Sequence, residues 1–145
     1  MGSSWTPESG LAVVQAGVAA ASARGAPMAV ALVDAAMQLV AFARTPDATG
    51  AAVDCAPAKA RTAVWFGRPT AEVVAVAQRR PEVYGSLVTA SPHPLVLSMG
   101  GIPVLGPTGS NMGAVAAAGA LQGSVDVEVA EEMLRCCHRV LALPA

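Results

Sequence analysis

The amino-acid sequence predicts an α/β fold of the α+β type, in which helices pack against an antiparallel sheet of five strands. Two strand-like segments follow each other in the first half of the chain, and three more, separated by glycine turns, lie in the second half. Short connections between consecutive strands favour antiparallel pairing. The 145 residues are 54% hydrophobic and 13% charged, so residues 1–145 are predicted to form a single domain with one core.

The first helix is predicted to begin after Thr6 and to end before Gly25. Thr6 is a capping hydroxyl, and a proline and then an acidic residue follow it at the start of the helix. Strands are predicted over residues 30–33 and 39–42, where valine, leucine and phenylalanine are frequent. The intervening residues Asp34–Met37 are predicted to form the turn of a hairpin.

Two helices are predicted in the middle of the chain. Asp54 is expected to cap the first, with Pro57 in its first turn, and the segment 67–69 is expected to end it, because it holds a glycine and a proline. Thr70 is expected to cap the second helix. Residues 81–94 begin and end with proline and are predicted to form a loop, in which a helical turn near Tyr84–Val88 is the one regular element considered.

Three short strands are predicted in the segments LVLSMGG, IPVLGPTGSN and MGAVAAAGAL, which together span residues 95–121. The last helix is predicted to begin at Ser124 or Asp126. Its apolar residues recur at helical spacing along one stripe, and the opposite face is polar. The stripe consists of Val127, Ala130, Leu134, Cys137 and Leu141, and the polar, solvated face of Glu131, Arg135 and His138.

Composition excludes several classes of partner. The formal net charge of −1 argues against a nucleic-acid partner, because binding phosphates requires a clear excess of cations. Neither a signal peptide nor a membrane-spanning segment is recognisable, so the protein is predicted to be cytoplasmic, with no membrane partner. Cys55, Cys136 and Cys137 have neither disulfide nor zinc spacing and are interpreted as reduced apolar filler. No metal or nucleotide fingerprint is present.

Two cations are the candidate catalytic residues. Lys59 lies on the helix that begins near Cys55 and is either a solvated lysine or a cation at the rim of an apolar pocket, where it would hold a carboxylate or an oxyanion. Arg44 ends the second predicted strand. An ion pair with Asp34 or Asp47 and an anion-binding role are weighed equally for it.

The candidate ligand-binding residues are aromatic residues, methionines and glycines. The helix carries adjacent aromatic residues that cannot both point to the same place, so one of them is expected to line a cavity or an interface. Methionines supply adaptable apolar walls, and glycines permit close approach of a ligand to the backbone. These candidates are Trp65, Phe66, Met99, Gly100, Gly101 and Met112. Neither His93 nor His138 is assigned a site.

Several motifs occur in the order found in a known family. They are VALVDAAMQLVAFAR, AKARTAVWFGRPT, MGGIPVLGPTG and NMGAVAAAGAL, followed by a helix that starts near Asp126. The chain resembles the GlcG/HbpS-like proteins, also described as the haem-degrading or PduO C-terminal-like domain, over nearly its whole length. The most specific matches are Lys59-Ala60-x-Thr62-Ala63 with Thr70 downstream, and Gly100-Gly101-x-Pro103.

The resemblance implies an α/β/α sandwich around a five-stranded antiparallel sheet. It also implies a homo-oligomer, and some members of the family bind haem or related tetrapyrroles. The chain departs from the family pattern in three places. Ala36-Met37 replaces glycines in the turn after Asp34, residues 45–47 replace an acidic-glycine pair, and residues 124–128 keep the acidic motif of the last helix only loosely.

Three functions are therefore expected, in this order. The first is a cofactor-independent cyclase, pericyclase or isomerase, which would hold a reactive conformer of an apolar polyketide-like or terpenoid-like molecule in a hydrophobic pocket. Lys59 or Arg44 would polarise a carbonyl there, and Trp65, Met99 and Met112 would shape the wall. The alternative is a haem-binding or haem-sensing protein. The second alternative is a non-catalytic oligomeric partner of another enzyme.

Overall fold

The computed structural model describes residues 4–144 of the chain. The first half holds helix α1 (Pro7–Ala23), strands β1 (Ala29–Asp34) and β2 (Leu39–Arg44), and helix α2 (Gly50–Phe66). The second half holds helices α3 (Thr70–Ala77) and α4 (Pro81–Leu87), a 3₁₀ turn (Val88–Ala90), strands β3 (Gly101–Leu105) and β4 (Asn111–Ala118), and helix α5 (Gly123–Val140).

The four strands form one antiparallel sheet in the order β2-β1-β4-β3. Helices α1 and α5 pack on one face of the sheet, and α2 packs on the other. The predicted α+β class and the antiparallel sheet with helices against it are confirmed. Because the two central strands are covered on both faces, they are apolar almost throughout and do not show the alternation of a half-exposed strand.

The prediction of five strands is wrong, because residues 95–100 form no strand. Their composition is strand-like, but the chain turns at Gly100, whose φ of +121° suits glycine, and enters the sheet only at Gly101. The hydroxyl of Thr62 accepts a hydrogen bond from the Val96 amide at 3.0 Å. This contact ties the segment to α2, outside the hydrogen-bonded sheet.

The predicted hairpin of β1 and β2 is confirmed. The carboxylate of Asp34 accepts hydrogen bonds from the amides of Ala36 (2.9 Å) and Gln38 (3.0 Å), which closes the turn. Met37 adopts a φ of +66° there and is buried. A methionine thus fills the left-handed position for which glycine is the usual choice.

The two faces of the sheet differ in the size of their side chains. The face toward α1 and α5 is covered by larger residues, among them Leu32, Val115 and Met133. The face toward α2 is built largely from alanines of β1, β4 and α2, including Ala31, Ala56, Ala60 and Ala116. Small side chains on both partners let α2 approach the sheet closely, and this approach sets the surroundings of Lys59.

Several predicted helix starts need correction. Helix α2 is capped by Thr49, whose hydroxyl accepts a hydrogen bond from the Ala52 amide at 3.2 Å. Asp54 is therefore not the cap, and Pro57 lies inside the helix. Thr70 is the first residue of α3 and does not cap it, because its hydroxyl is engaged elsewhere.

Two further segments in the second half of the chain also differ from prediction. Part of the predicted loop over residues 81–94 forms α4, a short helix without a buried residue. Helix α5 begins at Gly123, and its buried face includes Val129, Met133 and Cys136 beside the predicted Ala130 and Cys137. Among residues 4–144, no helix combines the length and the apolar character needed to cross a membrane.

Candidate functional site

Lys59 lies in the interior of the protein and is only 3% exposed. Its Nζ donates hydrogen bonds to the carboxylate oxygen Oδ2 of Asp126 at 2.9 Å and to the carbonyl oxygen of Ala117 at 3.1 Å. Asp126 is 5% exposed, and its Oδ1 accepts a hydrogen bond from the Ala120 amide at 3.1 Å. The prediction of a cation at the rim of a pocket is therefore wrong, as is a solvated lysine. Lys59 joins α2 to β4 and α5.

The other residues of the most specific motifs surround this ion pair. Thr70 accepts a hydrogen bond from the Gly101 amide at 2.9 Å. A Cβ on Gly101 would lie 2.5 Å from the carbonyl oxygen of Lys59, and one on Gly100 would lie 3.3 Å from its Nζ. Glycine, which has no Cβ, is thus needed where β3 passes close to α2. We name Lys59, Thr62, Thr70, Gly100, Gly101 and Asp126 the signature cluster.

Two arginines bind backbone carbonyls. The Nε of Arg61 donates a hydrogen bond to the carbonyl oxygen of Met37 at 3.0 Å, so α2 also holds the turn of the hairpin. Arg44 donates to the carbonyl oxygens of Thr45 (3.1 Å) and Pro46 (2.9 Å). The ion pair of Arg44 with Asp34 or Asp47 is not formed, and this arginine lies exposed at the end of β2.

Within the described part of the chain, the predicted ligand-binding residues lie on several different segments, which are α2, the loop before β3, β3 and β4. Trp65 is 40% exposed on α2, whereas Phe66 stacks on Tyr84 of α4 with ring centroids 5.6 Å apart. Met99 packs where a Cβ on Gly123 would lie, at 2.6 Å from its sulfur. Met112 packs against the core beneath α1 and α5. Among the predicted site residues, Lys59 lies directly against Gly100 and Gly101 of the signature cluster.

A first concavity of about 530 Å³ lies where α1 ends and where α2 and α5 begin. Its walls are mainly apolar, and Arg24 stands beside them. The guanidinium of Arg24 pairs with Glu128 at 3.3 Å, and both side chains are partly exposed. We name this concavity the Arg24 cavity. Its main lining residues are Arg24, Ala26, Pro27, Ala120, Leu121 and Val125.

A second site lies along the last two turns of α5, where concavities of about 350 and 280 Å³ adjoin and share His138. We name it the α5 groove. It is defined by the apolar walls Leu105, Pro107, Leu134, Leu143 and Pro144 and by the polar side chains of Arg135, His138 and Arg139.

The α5 groove shows what the sequence reasoning missed. His138 is half-buried and does not lie on a fully solvated face. The available signal was the i, i+4 spacing of Leu134 with His138 and of Arg135 with Arg139, which places the four side chains together on α5. The walls from β3, from the loop that follows it and from the chain end could not be assigned without the fold.

The charged groups of the groove differ in their engagement. Arg135 donates a hydrogen bond to Glu132 at 2.7 Å, and this contact lowers the pKa of the Glu132 carboxyl. Arg139 forms no side-chain hydrogen bond or ion pair among residues 4–144. It is therefore available to an anion in the groove.

All three cysteines pack in apolar surroundings, as predicted. They are free thiols; Cys136 and Cys137 are buried, and Cys55 is partly exposed. Burial raises the pKa of the Cys137 thiol to about 12, so this thiol stays protonated and apolar in character. Within residues 4–144, no group of three or more histidine, cysteine or acidic side chains is arranged to hold a metal ion.

Comparison with known proteins assigns the family. Residues 6–135 match the family model described as haem-degrading protein HbpS-like. A double mutant of HbpS from Streptomyces reticuli is 26% identical, with a TM-score of 0.81 over 93% of this chain and 88% of that one. The PduOC–haem complex is also 26% identical, with a TM-score of 0.79 over 91% of this chain and 94% of that one.

Two other comparisons add less. Protein ORFY of Klebsiella pneumoniae has a TM-score of 0.82 at 21% identity, over 94% of this chain and 92% of its own, and this likeness shows the fold alone. No curated protein sequence matches the chain. The family match over residues 6–135 covers nearly the whole of the chain. The chain therefore belongs to the HbpS-like family of haem-degrading proteins.

Proposed function

We propose that this protein binds haem or a closely related tetrapyrrole. The observation that carries the proposal is the family match over residues 6–135, together with the likeness to a chain whose structure is described as a haem complex. That likeness extends over 91% of this chain and 94% of the relative, so it concerns the whole domain and not a shared fragment.

The residues of the chain fit such a ligand. Haem is a planar apolar ring with two propionates and an iron that takes imidazole, thiolate, thioether or phenolate ligands. The α5 groove offers apolar walls, two arginines and an imidazole. The Arg24 cavity offers apolar walls and a cation, but its lining residues include no side chain of the iron-binding kinds. When bound, haem would supply the iron chemistry, and the protein would orient the ring and limit its exposure to water.

The cofactor-free cyclase or isomerase has weaker support. It requires Lys59 or Arg44 near a wall of Trp65, Met99 and Met112. Lys59 is instead paired inside the fold, and the other four residues lie on separate segments of the chain, namely β2, α2, the loop before β3, and β4. A homo-oligomer remains part of the proposal, because the exposed apolar side chains of Trp65 and of α4 are suited to a contact between subunits.

A hemin titration of the purified apoprotein tests the proposal. We expect a saturable Soret shift at one haem per chain and a higher midpoint of thermal unfolding in the presence of hemin, because a ligand that binds only the folded state stabilises it. Bovine serum albumin is unsuitable as a background control because it binds haem, so the thermally unfolded chain serves instead. Absorbance that rises linearly with hemin, as it does with the unfolded chain, would refute the proposal.

A further inference from the structure

We infer that the imidazole of His138 would hold the iron of a haem bound in the α5 groove. This inference rests on the proposed function and names the site of that function. Among the residues that line the Arg24 cavity and the α5 groove, His138 is the only histidine, cysteine, methionine or tyrosine. It is half-buried in the last turn of α5, so its imidazole borders both the interior and the solvent.

The apolar walls suit the macrocycle. Leu105 ends β3 and is 46% exposed, and Leu134 is half-buried one helical turn before His138. Pro107 and Pro144 extend the apolar surface on either side. A flat ring placed against these side chains would remove apolar surface from water, which is the main favourable term in such binding.

The charge pattern suits the propionates. Arg139 follows His138 directly and forms no side-chain ion pair within the described residues, so a carboxylate at the mouth of the groove would meet an available guanidinium. Arg135 lies one turn earlier and is held by Glu132. Arg135 and Arg139 line the smaller concavity, and most of the apolar residues line the larger one. His138 lines both, so the proposed iron ligand lies between the apolar wall and the partners of the propionates.

The chain offers a matched control, because it contains two histidines. His93 is also half-buried, but it lies in the loop before residue 95 and borders neither concavity of the α5 groove. The variants His138→Gly and His93→Gly therefore remove the same kind of side chain at two positions that are exposed to a similar degree. Circular dichroism and thermal unfolding of both apoproteins would establish that each variant folds.

Hemin titrations of the wild type and of these variants test the inference. We expect H138G to bind hemin about tenfold more weakly or worse, with a displaced Soret maximum, since even the loss of a group that only orients a metal ligand costs about 10–100-fold in metal affinity. Added imidazole should restore the wild-type spectrum in H138G, and H93G should match the wild type. Arg139→Gln should weaken binding without moving the Soret maximum.

The possible failures are distinguishable. If the wild type binds hemin and H138G gives the same affinity and spectrum, His138 is not the ligand, although the protein still binds haem. If H93G loses the wild-type spectrum and H138G keeps it, the site lies elsewhere. If the wild type itself shows no saturable shift, the proposed function and this inference are both overturned.

Discussion

Replacement of Lys59 by methionine removes one partner of the buried ion pair and retains a side chain of similar length. Asp126 would then keep a carboxylate that is 5% exposed, with the Ala120 amide at 3.1 Å as its remaining hydrogen-bond donor. Loss of one partner from a buried pair costs about 3–5 kcal/mol, because the other charge is left without compensation. We therefore expect the free energy of unfolding to fall by about that amount.

A second variant separates pairing from mere burial. If both members are replaced, as in Lys59→Met with Asp126→Leu, no charge is left in the interior, and such replacements are often close to neutral. Two hydrogen bonds are still lost, from the Ala120 amide to Asp126 and from Lys59 to the Ala117 carbonyl, at a cost of about 1 kcal/mol each. The double variant is thus expected to be more stable than Lys59→Met alone.

Urea unfolding and thermal unfolding at fixed protein concentration, both followed by circular dichroism, measure these differences. The midpoint temperature of Lys59→Met should fall by roughly 10 °C, given about 2–4 °C per kcal/mol for a chain of this size. Arg135→Gln removes an exposed ion pair of similar length and should leave both midpoints unchanged. A loss below about 1 kcal/mol for Lys59→Met, or a double variant less stable than the single one, would refute the reasoning.

Four further predictions concern packing and the cysteine thiols. Gly101→Ala should lower the free energy of unfolding by about 1–3 kcal/mol, because its Cβ would lie 2.5 Å from a carbonyl oxygen of α2. Gly50→Ala is the control, since its Cβ would meet no atom within 4 Å, and it should be neutral or stabilising. The urea concentrations at half-unfolding measure both effects. Thr70→Val should cost about 1–3 kcal/mol in the same assay, since it strips the Gly101 amide of its acceptor. In a thiol assay at neutral pH only Cys55 should react in the native protein, and all three cysteines should react in denaturant. Burial raises the pKa of Cys137 to about 12, so the folded chain keeps a proton that the unfolded chain loses above about pH 9. The free energy of unfolding should therefore fall as the pH rises from about 9 to about 12. Cys137→Ala should make this pH dependence shallower.

Local signals in the sequence were sufficient for much of the fold. Helix α1 carries its own cap at Thr6, and the hairpin turn is closed by Asp34 within four residues, so both could be predicted. The fifth strand failed because strand-like composition at residues 95–100 is overridden by the turn at Gly100 and by the bond to Thr62. Helix α4 was missed because its seven residues include none that is buried, so it carries no apolar stripe.

The candidate site depends more on tertiary contacts. Lys59 and Asp126 are 67 residues apart in the sequence, and no local pattern near either residue predicts that they form an ion pair. The motif around Lys59 was predicted to be among the most specific parts of the chain, and the structure places its side chains in internal hydrogen bonds. His138, in contrast, was assigned no site from the sequence. The structure places it in a groove, because β3 and residue Pro144 pack beside this part of α5.

The most direct measurement is an X-ray structure of the hemin complex with data collected at the iron absorption edge. The anomalous difference map locates the iron without assumptions about the ring. The account predicts one peak per chain in the α5 groove, within coordination distance of the His138 imidazole and with a propionate near Arg139. A peak in the Arg24 cavity, or beside His93, would contradict it.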